Sequence, residues 1–359
     1  MSLFTEKYLP LNLDEMFFHK DISQKLKKLV QNDNVPHLLI YGKNNSGKST
    51  LVNSMLYDIF GKSSKKVKKI SLDIKISNTS NTHTIQYTKN VNYIIFNMTH
   101  KISYDKYVIK ELTNFFIESA NINSYISNAK YRIIIIKNAE NLSIHAQSFL
   151  RRTMEKYTEY CKFILLTQQL CCFIHPIRSR CITLRLSSIT YDECLSFSKY
   201  ILDKEKINYD NDQLVKLVKC CDNIIYDILL ILQANIKDNS IDIDFSNIKL
   251  SYKEKLSELV ENIINGINIK KSIQMKQDIY KQLITNIKTI DIINFIKKDI
   301  FNKIDLLNKS DQDKFNIKKD IIEFISECQS QMNTGNKSIF YFELLFIQLS
   351  NYFSKQKIK

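Results

Sequence analysis

The chain has 359 residues, of which 44% are hydrophobic and 25% charged. That composition excludes a disordered polymer and allows two or three domains of ordinary size. Its 52 basic and 37 acidic side chains leave a formal charge of +15, so a polyanion is the expected partner. The abundance of Lys, Asn and Ile suits an AT-rich genome and raises the charge by itself, so charge alone does not establish nucleic-acid binding. The first residues, Met1-Ser2-Leu3-Phe4-Thr5-Glu6-Lys7, lack the apolar segment of a secretory signal. No apolar run reaches the roughly 18 residues that span a bilayer, so a soluble intracellular protein without a membrane partner is expected. Eight cysteines, including the adjacent pairs Cys171-Cys172 and Cys220-Cys221, show no metal-ligand spacing and read as reduced, buried thiols.

All three prolines (Pro10, Pro36, Pro176) and three of the five glycines (Gly42, Gly47, Gly61) lie before residue 180. In chain order, Ile22 to Val30 has helical spacing and Leu38 to Tyr41 is a short apolar strand. Thr50 to Phe60 is helix-capable, and the lysine-rich stretch Lys62 to Lys69 reads as a solvated loop. Further strand-length apolar runs are Tyr93 to Phe96, Ile133 to Ile136, Phe163 to Leu166 and Ile182 to Leu186, with a helical stretch at Val108 to Ile117. Continuous apolar strands separated by helices predict an α/β fold, a parallel sheet with helices on both faces. After residue 187 the pattern is helical only. Residues 190–236 predict three short helices, Lys237 to Ser251 a polar linker, and Tyr252 onward long amphipathic helices. Leu256, Leu259, Val260, Ile263 and Ile264 form a core-facing stripe. Ile339 to Phe353 is apolar around most of its circumference, which predicts burial against other helices or other subunits. The predicted domains are 1–186, 187–236 and 252–359, with no internal repeat.

Gly42-Lys43-Asn44-Asn45-Ser46-Gly47-Lys48-Ser49-Thr50 fits the phosphate-loop pattern G-x-x-x-x-G-K-[ST], between a predicted strand and a predicted helix. Glycines let backbone N–H groups curl around a phosphate, and the helix N-terminus adds its positive end. Gly42, Asn45, Ser46, Gly47, Lys48, Ser49 and Thr50 are therefore the predicted contacts for ATP or ADP. Lys48 neutralises β- and γ-phosphate charge, and the Ser49 hydroxyl is the predicted Mg²⁺ ligand.

A hydrolysing phosphate-loop enzyme needs an acid for the metal shell and a base for water at the end of a second strand. Here the strand Tyr131 to Ile136 runs into Lys137-Asn138-Ala139-Glu140. An ammonium repels Mg²⁺ and an amide takes no proton from water. The site reads as one that binds nucleotide and hydrolyses it poorly, with Glu140 as a substitute carboxylate only after a register shift.

Four segments together carry a family resemblance. They are Phe4-Thr5-Glu6-Lys7-Tyr8-Leu9-Pro10, Pro36 to Gly42, Ala146-Gln147-Ser148-Phe149-Leu150-Arg151-Arg152-Thr153-Met154-Glu155-Lys156-Tyr157, and Pro176-Ile177-Arg178-Ser179-Arg180-Cys181. With them the chain resembles the small subunits of replication factor C, the eukaryotic-type clamp loader within the AAA+ ATPases. The likeness covers residues 1 to about 235 well, and the rest only as an all-helical region.

The resemblance implies a nucleotide-binding domain, a helical lid and a helical collar used in oligomerisation. It places Lys7 and Tyr8 around the adenine. It makes Arg180, in Ser179-Arg180-Cys181, an arginine finger for a neighbour's nucleotide, since a guanidinium from outside can stabilise charge on the transferred phosphoryl group. It puts Ser103 to Lys110 on a chamber-lining helix, where Lys106 and Lys110 at i, i+4 are DNA-contact candidates. Arg151 and Arg152 fall in inter-subunit networks. The implied partners are other loader subunits in a hetero-oligomer, a pentamer, together with a ring-shaped sliding clamp and primer–template DNA. The implied location is the nucleus, or a cytoplasmic viral factory if the source is a large DNA virus.

The departures are specific. Leu9 replaces an arginine, Lys137-Asn138 replaces an acidic pair, the sensor asparagine aligns with Gln168 or Thr167, and Asp222 to Asp227 lacks the sensor arginine. They match the member of that family whose own ATP site is inactive. Two other readings stay open: an autonomous DNA-dependent phosphate-loop ATPase, which needs the missing acid and base, and a helicase-loading or checkpoint AAA+ factor.

Overall fold

A computed structural model describes residues 3–32, 35–75, 82–99, 104–123, 131–221, 223–237, 240–241, 251–265, 269–284, 289–306, 310–334 and 338–355. The chain divides into two compact units, Met1–Asp242 and Ile243–Lys359. The first is an α/β domain, a mainly parallel sheet with helices on both faces, followed by three short helices. Its elements are α1 (Phe4–Lys7), α2 (Lys20–Gln31), β1 (Leu38–Tyr41), α3 (Lys48–Phe60), β2 (Lys68–Lys75), β3 (Thr82–Lys89), β4 (Tyr93–Asn97), α4 (Asp105–Asn123), β5 (Arg132–Lys137), α5 (Ile144–Lys156), β6 (Cys161–Thr167), α6 (His175–Arg178), β7 (Ile182–Arg185), α7 (Tyr191–Glu205), α8 (Asn211–Cys220), α9 (Ile225–Ala234), β8 (Ile236–Lys237) and β9 (Ser240–Ile241).

The main sheet runs β2-β3-β4-β5-β6-β1-β7. Its last five strands are parallel, as the apolar runs predict. β1 pairs with β6 (Leu38 opposite Ile164) and with β7 (Leu38 opposite Ile182), while β5 pairs with β4 and β6. The wholly parallel expectation needs correction at one edge, where β2 and β3 form an antiparallel hairpin and β3 is antiparallel to β4. These two strands escape sequence reading because they bury one face only. Ile74, Ile85 and Tyr87 are buried, whereas Lys69, Ser71, Asp73, Thr84 and Gln86 between them are exposed. Alternation replaces the continuous apolar run. The predicted loop at Lys62 to Lys69 is a short 3₁₀ turn, Gly61–Lys65, followed by the start of β2, its lysines exposed along the sheet edge. The predicted linker opens with the β8–β9 pair, so helices are not the sole structure after residue 187; residues 242–250 lie outside the described residues.

The parallel strands are apolar because both faces are covered. On one face Leu39, Ile94, Phe96, Ile134, Ile136, Phe163 and Leu165 pack against Val108, Ile109 and Leu112 of α4 and Leu150 and Met154 of α5. On the other, Leu38, Ile40, Ile133, Ile135, Ile164 and Leu166 pack against Leu26 of α2 and Leu51, Val52, Met55 and Leu56 of α3. Each fully buried Leu or Ile contributes about 1.5–3 kcal/mol. Buried Asp105 joins two helix starts by accepting from the Ser143 N–H at 2.6 Å and the Ser143 hydroxyl at 2.9 Å. α7 begins with a capping box between Thr190 and Glu193. Five cysteines are buried, and desolvation pushes the Cys161 and Cys181 thiols up to about 12. Contrary to expectation, Cys171, Cys172 and Cys220 are exposed. Neighbouring side chains in a turn or helix point apart, so of Cys220 and Cys221 only the second faces the core.

The second unit holds α10 (Ser251–Ile264), α11 (Ile269–Ile284), α12 (Thr289–Asp305), α13 (Asp311–Thr334) and α14 (Ser338–Lys355). Leu256, Leu259, Val260 and Ile263 are buried and Ile264 packs beside them. α14 buries Phe342, Leu345, Phe346, Leu349 and Phe353 but leaves Phe340, Leu344 and Ile347 exposed. Intramolecular packing therefore uses one side of that helix.

His37 sits at the head of β1, only 6% exposed, and its Nδ1 accepts the Phe163 N–H at 3.0 Å. The ring must stay neutral to accept. Burial, aided by nearby Lys162, holds its pKa down at about 4. Because the folded pKa lies below the unfolded value, His37 costs nothing above the ordinary imidazole range and destabilises as pH falls from there towards 4. The expected loss approaches roughly 3 kcal/mol. Thermal unfolding at pH 7 and pH 5 checks this: the acid-side drop in Tm should be smaller in His37→Gln than in wild type.

Candidate functional site

The carboxyl edge of the parallel strands opens onto a cavity of about 470 Å³. Its polar part is lined by Asn44 to Thr50, Asn97, Lys137, Asn138, Thr167 and Gln168. Its apolar part is lined by the N-terminal segment and by side chains of α7 and α9, among them Tyr8, Phe17, Phe18, Phe197, Tyr226 and Leu229.

The phosphate loop has the predicted strand-to-helix setting. Gly42 leaves β1 so close to β7 that a Cβ there would lie 2.4 Å from the Leu186 carbonyl oxygen. The Gly42 N–H donates to the Thr167 carbonyl at 3.3 Å and the Leu186 N–H to the Tyr41 carbonyl at 2.8 Å. Asn45 (φ 61°) and Gly47 (φ 86°) turn the loop through left-handed conformations. Gly47 caps α3, so Lys48, Ser49 and Thr50 form its first turn and all three line the cavity. The Lys48 ammonium donates to the carbonyls of Gly42 at 2.7 Å and Lys43 at 2.6 Å, which holds it against the loop. The Ser46 hydroxyl is buried and has no protein partner among the described residues. A buried orphan hydroxyl beside an N-terminal helix turn fits an anionic oxygen. His19, in a left-handed conformation at the head of α2, sets its Nε2 3.1 Å from the Ser46 carbonyl and braces the loop from outside.

The second strand, read from the sequence as Tyr131 to Ile136, spans Arg132–Lys137, so Lys137 is its last residue. Lys137 closes β5 opposite Asn97 of β4, and both line the cavity beside Asn138. Burial lowers the Lys137 pKa. Asn138 is left-handed (φ 52°) and donates to the Asn97 side-chain oxygen at 2.7 Å. Glu140 does not line the cavity; its carboxylate accepts the Gln168 N–H at 3.3 Å. Thr167 and Gln168 both line it, with the Thr167 hydroxyl bonded to Gln169. Glu15 is the single carboxylate among the lining residues, and it accepts the Leu11 N–H at 2.9 Å. Among the described lining residues Mg²⁺ would therefore meet the Ser49 hydroxyl and one carboxylate, Glu15, already bonded to the Leu11 N–H. The residues fit a polyphosphate well, and fit Mg²⁺ only as a passenger on the phosphates.

At the apolar end Phe17, Phe18 and Phe197 form a cluster with ring centroids 5.0–5.1 Å apart, extended by Tyr200 at 5.7 Å from Phe17. Tyr8 packs edge-on against Phe4 at 5.9 Å, and its hydroxyl donates to Glu205, as does the Lys7 ammonium. Burial and the Glu205 bond push the Tyr8 phenol far above its ordinary range. Lys7 itself does not line the cavity. Phe17, Phe18, His19, Asn97, Phe197 and Tyr226 were not singled out by the sequence. Each is an ordinary residue until the fold brings it to the cavity, and the Phe17-Phe18 doublet is the one signal present.

Arg180 lies outside the cavity and is exposed, following α6; it donates to the Pro176 carbonyl at 2.7 Å and to the Glu155 carboxylate of α5. Arg151 is half-buried and Arg152 exposed. Lys106 and Lys110 are both exposed on one face of α4; Ser103 and Asp222 are outside the described residues. Among the described residues no group of His, Cys, Asp or Glu could hold a metal ion, and no helix is long and apolar enough to cross a membrane.

Residues 18–190 match the family model described as DNA polymerase III, delta subunit. Replication factor C subunit 3 of Arabidopsis thaliana is 25% identical over 344 residues, 95% of this chain and 94% of that protein. A protein named as a replication factor C small subunit in Acanthamoeba polyphaga mimivirus is 29% identical over 340 residues, covering 94% and 87%. The chain is thus similar to replication factor C subunits along nearly its whole length. Among solved structures, a Thermotoga maritima RuvB mutant aligns with 73% of this chain and 82% of its own, with a TM-score of 0.48 at 13% identity.

Gly42→Ala must move the end of β7 away from β1, an overpacking expected to cost about 1–3 kcal/mol. Denaturant unfolding should show that loss.

Proposed function

We propose that this chain is a small subunit of a clamp-loader complex that loads a ring-shaped sliding clamp onto primer–template DNA. In this reading it binds ATP or ADP, does not hydrolyse it, and lends Arg180 to a neighbour. The observation that carries the reading is the pairing, in one cavity, of the phosphate-loop residues Asn44 to Thr50 with Lys137 and Asn138 where an acid and a base would stand. The similarity to replication factor C subunits over nearly the whole chain supplies the complex.

Loop N–H groups and the α3 terminus receive the phosphates, and Lys48 swings from the Gly42 and Lys43 carbonyls to neutralise them. Mg²⁺, when bound with nucleotide, adds phosphate neutralisation, with Ser49 as the chain's own ligand. The aromatic end receives the adenine. Neither Lys137 nor Asn138 can accept a proton from water, so nucleotide serves to brace the subunit. The proposed domains are nucleotide-binding 1–186, lid 187–236 and collar 252–359, with the exposed Phe340, Leu344 and Ile347 of α14 available to other subunits. The complex is a hetero-oligomer, proposed as a pentamer. Lys106 and Lys110 face DNA phosphates in its chamber. It works in the nucleus, or in a viral factory for a viral source.

Arg180 supports a trans role by its position. It lies outside its own cavity and is steered by Glu155, which fixes the guanidinium without burying it. An arginine that cannot serve its own site, and whose own site lacks water-activating groups, suits a neighbour's γ-phosphate.

Calorimetry tests the site: Lys48→Ala should lose ADP binding that wild type shows, and wild type should not turn ATP over at about 1 s⁻¹ or faster. Retained binding in the mutant, or turnover abolished by it, refutes the reading. Arg180→Ala should leave nucleotide binding by the isolated chain unchanged. In a complex where only the adjacent subunit keeps an active phosphate loop, it should lower hydrolysis about 10³-fold or more.

A further inference from the structure

We infer that Glu205 is a positioning residue for the nucleoside end of the cavity. Its carboxylate latches the N-terminal segment to the helices after the sheet and thereby sets nucleotide affinity. The inference rests on the nucleotide-site reading above and adds a residue that the phosphate-loop motif does not reach.

Glu205 is the last residue of α7, yet it bonds to two side chains nearly 200 positions earlier. It accepts from the Tyr8 hydroxyl and from the Lys7 ammonium. Tyr8 lines the cavity, and so does Phe197 on the same helix as Glu205. A carboxylate in the last turn of a helix is opposed by the helix dipole. Its placement there is explained by the two donors it collects, which hold its pKa below the usual carboxylate range. The latch is reinforced nearby. The Lys204 ammonium sits 5.4 Å from the Tyr8 ring and 5.6 Å from the Tyr200 ring, and the Phe4 N–H donates to the Gln233 side chain of α9 at 2.8 Å.

The consequence is mechanical. Tyr8 is held by an acceptor on α7, so the start of the N-terminal wall is tied to the α7–α9 helices, whereas Pro10 and Leu13 beyond it are tied to α3 by the Ser54 hydroxyl and the Asp58 carboxylate, both at 3.1 Å. A nucleoside inserted between Tyr8 and the Phe17–Phe18–Phe197 cluster meets a wall already ordered by Glu205. Without that carboxylate, Tyr8 must be ordered by the ligand, and affinity falls by the cost of that ordering. The phosphate end, built on β1 and α3, is independent of the latch.

The test measures binding of ADP and of inorganic tripolyphosphate by the full chain. Glu205→Ala should weaken ADP about three- to tenfold, the worth of one or two hydrogen bonds, and leave tripolyphosphate within about twofold. Glu205→Gln, which keeps an acceptor for Tyr8 but not the charge for Lys7, should fall between wild type and Glu205→Ala. Tyr8→Phe should weaken ADP as well, and adding it to Glu205→Ala should cost less than the sum. Unchanged ADP affinity in Glu205→Ala overturns the inference. So does an equal loss for both ligands, which would mean general loosening, or full additivity with Tyr8→Phe. The Lys48→Ala variant reports separately on the phosphate end: if it loses ADP while Glu205→Ala does not, the site stands and only the latch falls.

Discussion

Everything at the site depends on β1 being hydrogen-bonded on both sides by parallel strands. Four residues, Leu38 to Tyr41, are held by β6 and β7, and both sheet faces over them are sealed by apolar side chains. Parallel pairing sends the ends of β1, β5, β6 and β7 to one edge. The chain must turn there within a very small space, and the 2.4 Å clearance at Gly42 measures how small. A phosphate loop is one of few ways to leave such a strand, because its glycines and left-handed residues let the backbone curl and aim N–H groups outward. The crevice beyond the strand ends is where open α/β sheets take their ligands.

Charge then decides what that crevice favours. Lys48, the N-terminus of α3 and the half-buried Lys137 all contribute positive potential, while Glu15, the lining carboxylate, is engaged with the Leu11 N–H. Burial lowers the Lys137 pKa, the usual result when an ammonium is desolvated without an anion. A bound polyphosphate would supply that anion. The same balance opposes a bare divalent cation, and it is the physical ground of the proposal that the site holds nucleotide.

The other half of the cavity is built by distant segments. Tyr8, Phe17 and Phe18 come from the N-terminus, and Phe197 and Tyr226 from α7 and α9. Rings at 5.0–5.7 Å provide an apolar wall, and the Glu205 bonds to Lys7 and Tyr8 tie its two sources together.

The sequence by itself determined the five parallel strands, the phosphate loop between strand and helix, the three helices after the sheet and the missing acidic pair at Lys137-Asn138. Those features are local: a run of apolar residues, a spacing or a residue type at a strand end carries them. Tertiary structure alone decided the β2–β3 hairpin, whose strands bury one face and so alternate, and the exposure of Cys171, Cys172 and Cys220. It also decided the bracing of the loop by His19, the aromatic wall and the bonds from Glu205 to Lys7 and Tyr8. Each joins residues far apart in the chain, and no local pattern encodes a contact whose partner lies nearly 200 residues away. The sequence specifies the phosphate end because backbone curvature demands glycine at set spacings, whereas the nucleoside end needs only apolar surface, which many residues supply and only packing assigns.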